Sequence, residues 1–233
     1  MTIIECCHVI LSIGLLLRGI SQDKGAGLNP DRVYPGGCDE EILAKIKHWI
    51  NDPAANAPRL LWLSGANGTG KSTIAHTIAH WWIKENKGFG SCFCFDRRVE
   101  TRCQDIFRAI ARVHPGFQDA LANIIAGDPL LGNTTNLAKQ WQRLILEPIS
   151  AFAGGLTQTV VIVIDALDES GDEMTRQRIL PILAFDTLDL PPNFRILVTS
   201  QPLPDIFKAF GASKRLNLTS AYCAGTGPPP FRA

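Results

Sequence analysis

With 233 residues and a mass of 25.5 kDa, the chain has room for one large domain that buries roughly 70% of its unfolded surface without disulfide or metal staples. An apolar content of 45% against 19% charged residues excludes an intrinsically disordered chain, which needs low hydrophobicity and high net charge. Lys and Arg number 23 and Asp and Glu 22, a net of +1, so no global field draws nucleic acid or an anionic membrane to the surface.

Val9 to Leu17 (VILSIGLLL) is an apolar run that Arg18 closes. It is too short for a bilayer span, which takes about 20 apolar residues. Glu5 precedes it where a signal peptide has basic residues, so the segment reads as a buried element or as one that packs in a longer parent. Gly25 to Gly37, rich in Gly, Pro, Asn and Asp, reads as a linker. Asp39 then opens a helix to about Ile50, with Ile42, Ile46 and either Trp49 or Ile50 on one face. Two prolines in Asn51 to Pro58 break it, and Arg59 to Leu63 has the length of a short strand. A helical pattern runs from Gly70 to about Glu85, and Phe89 to Phe95 alternates large and small residues as a strand does. Helices are expected from Thr101 to Val113, from Phe117, and from Thr135 to a stop before Pro148.

Thr159 to Ile164 (TVVIVI) is β-branched and almost wholly apolar, the signature of a central parallel strand buried on both faces. Asp172 to Phe185 reads as a helix interrupted at Pro181. Phe194 to Thr199 is another buried strand, Pro204 to Phe210 a short helix and Arg215 to Leu218 one more strand. Strands alternating with helices indicate right-handed βαβ units, hence an α/β fold with a doubly wound parallel sheet. The tail from Thr219 to Ala233 carries no period and reads as disordered. The expected organisation is an N-terminal apolar segment and linker over 1–30, an α/β domain over 31–218 and a tail over 219–233.

Seven cysteines at 6, 7, 38, 92, 94, 103 and 223 show no Cys-x-x-Cys pair, so neither a zinc ribbon nor a disulfide framework is indicated. Cys92 and Cys94 would share one face of a strand. Buried free thiols point to a reducing compartment, and the expected location is cytoplasmic.

The strongest motif is Gly65-Ala66-Asn67-Gly68-Thr69-Gly70-Lys71-Ser72, which fits G-x-x-x-x-G-K-[ST] at every fixed position and lies between a strand and a helix. Glycines let the backbone curl so that successive N–H groups point at a phosphate, and the helix N-terminus adds its positive dipole end. Gly65 to Thr73 are the candidate nucleotide-binding residues: Lys71 reaches the β- and γ-phosphates, and the Ser72 hydroxyl ligates Mg²⁺. A phosphate-binding loop needs a second element, a buried strand ending in Asp that helps hold the cation. Val161-Ile162-Val163-Ile164-Asp165 supplies it, making Asp165 the Mg²⁺ candidate alongside Ser72. Asp168 and Glu169 follow as candidate catalytic carboxylates to orient water or accept its proton. Both also fit a solvated, helix-capping acidic loop with Asp172 and Glu173. His76 and His80 lie four apart on the helix after the loop, a metal-gripping spacing, but no third ligand is evident and a partly buried helix face is the expectation. Trp81 and Trp82 read as helix-packing residues.

At these residues the chain resembles the NACHT group of STAND P-loop NTPases, especially the fungal nephrocystin-like type. The resemblance covers about Asp31 to Phe210. Three stretches carry it: IKHWINDP…RLLWLSGANGTGKSTIAHTIA, VVIVIDALDE and LPPNFRILVTSQPLPDI. It implies a three-layer sandwich of the ASCE-type P-loop class that binds ATP or GTP with Mg²⁺, hydrolyses slowly and acts as a signalling switch. It also implies self-association or signalling partners in a full-length parent, with no nucleic-acid or membrane partner. Gln201 stands where the family usually has Arg, and an uncharged amide lacks the guanidinium fork. The winged-helix segment and carboxy-terminal repeats of a full receptor do not follow, so the chain reads as a partial member. A non-hydrolysing interaction module stabilised by nucleotide is the alternative. A kinase using the same loop would need a lid of arginines, for which Arg97, Arg98 and Arg102 are the one dense group.

Overall fold

The computed structural model describes Val33 and residues 40–218, apart from 87, 97–105, 108–114, 129, 132–133, 153–157 and 212–213. The apolar N-terminal run, the linker, the arginine group and the tail, together with most of the helix expected from Thr101, lie outside the described residues.

Among the described residues, five parallel strands form one sheet: β1 (Leu60–Gly65), β2 (Phe89–Cys94), β3 (Val160–Asp165), β4 (Phe194–Ser200) and β5 (Lys214–Leu218), in the order β2-β3-β4-β1-β5. β4 thus intervenes between the strand before the glycine-rich loop and the strand ending in Asp165.

β1, β3 and β4 are buried at every position, and their side chains alternate between two cores because successive residues point to opposite faces. Leu60, Trp62, Ile162, Ile164, Ile196 and Val198 join one core cluster. Leu61, Leu63, Val161, Val163 and Leu197 join the other. Helix α1 (Glu40–Ile50) and α2 (Lys71–His80) cover the second face. α1 turns Ile46, Trp49 and Ile50 inward, so both of the alternatives left open by its spacing are buried. Helix α3 (Pro115–Gly127), α4 (Leu137–Gln140, continuing through Trp141–Leu146 and Glu147–Phe152), α5 (Glu173–Ala184) and α6 (Pro204–Phe210) contribute to the first. The result is a three-layer α/β sandwich of the P-loop NTPase fold.

Two prolines do not end helices where their chemistry suggests. α4 runs through Pro148, directly after a π-helical stretch over Trp141–Leu146. There the Glu147 N–H reaches back five residues to the Gln142 carbonyl, and this wider turn relieves the crowding between a proline ring and the carbonyl four residues earlier. α5 runs through Pro181, whose missing donor would serve Gln177; both residues lie on the exposed face, where water can take that carbonyl. α3 begins at Pro115, two positions ahead of the expected Phe117.

α2 also continues beyond His80 as a π turn over Trp81–Glu85. The Trp82 indole N–H donates to the Phe89 carbonyl at 2.9 Å, and Lys47 lies 4.8 Å above the Trp81 ring. Both tryptophans therefore pack helix against strand and helix against helix.

Candidate functional site

The glycine-rich loop joins β1 to α2. Gly68 has φ +77° and Gly70 +88°, left-handed values that glycine adopts without a Cβ penalty. They turn the chain tightly enough for Gly70 to accept the first helical bond, from the Ile74 N–H at 3.0 Å. Ala66, Asn67 and Gly68 are exposed, and the Thr69 hydroxyl closes the turn on the Ala66 carbonyl at 2.8 Å. Lys71 opens α2 and folds back over the loop, donating to the same carbonyl at 2.7 Å. Burial pushes its ammonium below the ordinary lysine range, against the opposing pull of Asp168, Asp165 and Glu169.

An open cleft of about 460 Å³ lies at the carboxyl ends of the strands, lined by Asn67, Gly68, Gly70, Lys71, Ser72, Thr73, Ala166, Asp168, Glu169 and Thr199. This is where an open parallel sheet gathers its ligands. Of the candidate site residues, Gly65, Ala66 and Thr69 complete the loop but do not line the cleft, and Asp165 lies beneath it, fully buried.

Asp165 organises the floor. Its Oδ1 accepts the Ser72 hydroxyl at 3.1 Å and the Thr199 hydroxyl at 2.6 Å. The bond to Ser72 joins the glycine-rich loop to the acidic strand. Thr199 in turn accepts the Ala166 N–H at 3.0 Å. Ala166 itself takes φ +59°, a left-handed conformation unusual for a residue with a Cβ. The strained turn lets Leu167–Glu169 form a single 3-10 turn, so that Asp168 and Glu169 border the cleft.

These two carboxylates differ. Asp168 is buried, and Gln201 holds both its oxygens: the backbone N–H donates to Oδ1 at 3.0 Å and the side-chain amide to Oδ2 at 2.8 Å. Glu169 is half-exposed. Asp172, by contrast, caps α5 through the Thr175 N–H at 2.8 Å, and Glu173 sits in the first turn. The capping duty foreseen for the acidic run thus falls to Asp172.

His76 and His80 do not act together. His80 is half-buried near Glu85 at 3.4 Å, whereas His76 is buried with Nε2 3.9 Å from Asp165 Oδ2. Cys94 donates its thiol to the same Oδ2 at 3.2 Å. Sequence reasoning gave no role to Thr199, and none to Cys94 beyond burial. The legible signals were the Thr-Ser-Gln end of the β4 segment and the position of Cys94 at the end of an apolar alternating run.

The residues present suit a triphosphate and a hard divalent cation. The glycine-rich loop, Lys71 and the start of α2 line one cleft, and the oxygens of Ser72 and Asp165 meet at its floor. Oxygen donors of this kind are those that Mg²⁺ takes.

Fold and site together define a P-loop NTPase-type domain. Residues 39–201 match the family described as Nephrocystin 3, N-terminal, and the chain belongs to that family. No curated protein matches it. Among solved structures, Caenorhabditis elegans PCH-2 is similar at 16% identity, covering 81% of this chain and 44% of that one, with a TM-score of 0.43. The AMPPCP-bound DnaA of Aquifex aeolicus is similar at 14% identity, covering 82% and 51%, with a TM-score of 0.44. A Walker-type ATPase of Pyrococcus abyssi is similar at 12% identity, covering 82% and 55%, with a TM-score of 0.48. The chain thus spans about half the length of the solved structures it matches. Among the described residues, no helix is long and apolar enough to cross a membrane.

Proposed function

We propose that residues 31–218 form a Mg²⁺-dependent nucleoside-triphosphate-binding module, a NACHT-type switch that hydrolyses ATP or GTP slowly. The observation that carries this reading is the 3.1 Å bond between Ser72 Oγ and Asp165 Oδ1 at the floor of the cleft. Gly65 to Thr73 cradle the phosphates with main-chain N–H groups, and Lys71 leaves the Ala66 carbonyl to meet the anion. Ser72 and Asp165 hold the cation, which when bound neutralises charge that develops on the phosphates. Glu169 is the residue placed to orient water and accept its proton, while Asp168, held by Gln201, positions the turn that carries Glu169. Its place is inside a reducing, cytoplasmic setting, with self-association or signalling partners supplied by a longer parent.

Gln201 favours a second reading. An amide that occupies Asp168 cannot at the same time offer a cation to a γ-phosphate, which fits a module that holds nucleotide for structure and does not turn it over.

Titration of labelled ATP and GTP, with and without Mg²⁺, tests the first reading. Binding that requires Mg²⁺ is expected, and no binding of either nucleotide would overturn it. Phosphate release separates the two readings, since sustained Mg²⁺-dependent turnover excludes the structural one.

A further inference from the structure

The two oxygens of Asp165 face different chemistry. Oδ1 meets the hydroxyls of Ser72 and Thr199, a hard oxygen environment. Oδ2 meets the Cys94 thiol at 3.2 Å and His76 Nε2 at 3.9 Å. The donor atoms of His76, Cys94 and Asp165 all lie within 4.8 Å of one another, and all three residues are buried. They come from α2, β2 and β3, and Cys94 is paired in register with Asp165 across the two strands.

We propose that His76, Cys94 and Asp165 form a site for a thiophilic divalent cation of the Zn²⁺ class, on the far side of Asp165 from the nucleotide cleft. Three arguments support it. First, thiolate and imidazole are ligands that Zn²⁺ accepts and Mg²⁺ does not. Second, bonds of about 2.0–2.3 Å in a tetrahedron set neighbouring donors about 3.3–3.6 Å apart. The observed 3.2 and 3.9 Å to Asp165 Oδ2 need shifts of only a few tenths of an ångström, and the imidazole and thiol, within 4.8 Å of each other, close by about an ångström at most. Third, a thiolate and a carboxylate balance the two positive charges, so the occupied site is neutral, as a buried site must be. Cys92 Sγ lies 3.9 Å from His76 Nδ1. When Nε2 binds the cation, Nδ1 keeps its proton and Cys92 Sγ is the atom positioned to receive it, an outer-shell contact of the kind that orients metal-binding histidines. Binding forms the S–metal bond and releases the Cys94 thiol proton to solvent. Cys94 retains 8% exposure at the end of β2, which gives the cation an approach.

Such a cation draws Asp165 away from Ser72 and opposes Mg²⁺ there. This coupling, unlike the site itself, rests on the nucleotide-binding reading above.

The reduced full chain, free of nucleotide, is dialysed against Zn²⁺ or Cd²⁺. X-ray absorption of the Zn²⁺ form should give one sulfur at about 2.3 Å with nitrogen and oxygen neighbours at about 2.0 Å. The Cd²⁺ form should show a sulfur-to-metal charge-transfer band that Cys94→Ser abolishes and His76→Gln weakens. Cys94→Ser keeps a hydroxyl to donate to Asp165, and circular dichroism checks that it folds. A shell without sulfur, a shell with several sulfurs, no bound cation, or a band unchanged in Cys94→Ser would each overturn the site. In a second arm, Zn²⁺ should weaken Mg²⁺-nucleotide binding at least tenfold in the unaltered chain and less than twofold in Cys94→Ser. Equal weakening in both would overturn the coupling. Failure of the zinc-free chain to bind nucleotide would overturn the coupling by removing the reading beneath it, and leave the result of the first arm standing.

Discussion

Gln201 grips Asp168 through two hydrogen bonds, one from its backbone N–H and one from its side-chain amide, across a separation of 33 residues. The grip ties the loop after β4 to the turn after β3. It also divides the work of two adjacent carboxylates. A group whose two oxygens both accept bonds from one residue is poorly placed to take a proton from water. Glu169→Gln is therefore expected to lower phosphate release by roughly 10²-fold or more, the usual worth of a positioned base. Nucleotide affinity should stay within a few-fold. Asp168→Asn should act mainly on thermal stability, through the Gln201 contact. Equal loss of turnover in both variants, measured by phosphate release beside a binding titration, would contradict this division.

Lys71 is the cation of the loop, and burial lowers its pKa despite Asp168, Asp165 and Glu169 nearby. Between that lowered value and the ordinary lysine range, the unfolded chain binds the extra proton. Stability of the nucleotide-free protein therefore rises with pH across that window, and the penalty is fully present below it. Lys71→Met removes the penalty. It should melt no lower than the unaltered chain at neutral pH, lose the upward slope in alkali and show no melting shift with Mg²⁺-ATP or Mg²⁺-GTP. A preserved nucleotide shift would refute the role given to Lys71.

Thr199 serves two elements at once, donating to Asp165 Oδ1 and accepting from the Ala166 N–H. Thr199→Val keeps the shape and loses both bonds, leaving a buried carboxylate oxygen with one donor fewer. We expect a loss of about 1–3 kcal/mol in denaturant unfolding. Mg²⁺ dependence of nucleotide binding should shift to higher concentrations. Thr199→Ser should restore both.

Arg176 of α5 donates from Nε to Asp205 of α6 at 2.7 Å and from Nη1 to the Gly171 carbonyl at 2.6 Å, with both side chains nearly buried. Removing one partner of such a pair leaves an uncompensated charge. Asp205→Ala is expected to destabilise by about 3–5 kcal/mol, while the paired replacement Arg176→Met with Asp205→Leu should recover most of it. Chemical denaturation of the two variants checks both statements. Nucleotide binding by the double variant should be unchanged, because neither residue lines the cleft.

The chain's local order was legible wherever neighbours in sequence decide the conformation. The run of β-branched residues before Asp165 announced a strand buried on both faces, and Gly68 and Gly70 announced the turn that lets Lys71 begin a helix. The extents of α4 and α5 were not legible. Pro148 and Pro181 read as breaks, yet a widened turn and an exposed face absorbed them, and both depend on what surrounds the helix.

By itself the sequence determined the loop, its flanking strand and helix, and the carboxylates after the acidic strand, because each is a contiguous stretch whose backbone chemistry acts over a few residues. Only the tertiary structure decided which groups meet. Ser72 reaches Asp165 across 93 positions, and Gln201 takes Asp168 while Cys94 and His76 converge on the back of Asp165. The physical reason is the order of the strands. Inserting β4 between β1 and β3 brings Thr199 and Gln201 to the acidic turn, and no periodicity along the chain encodes which strand lies beside which.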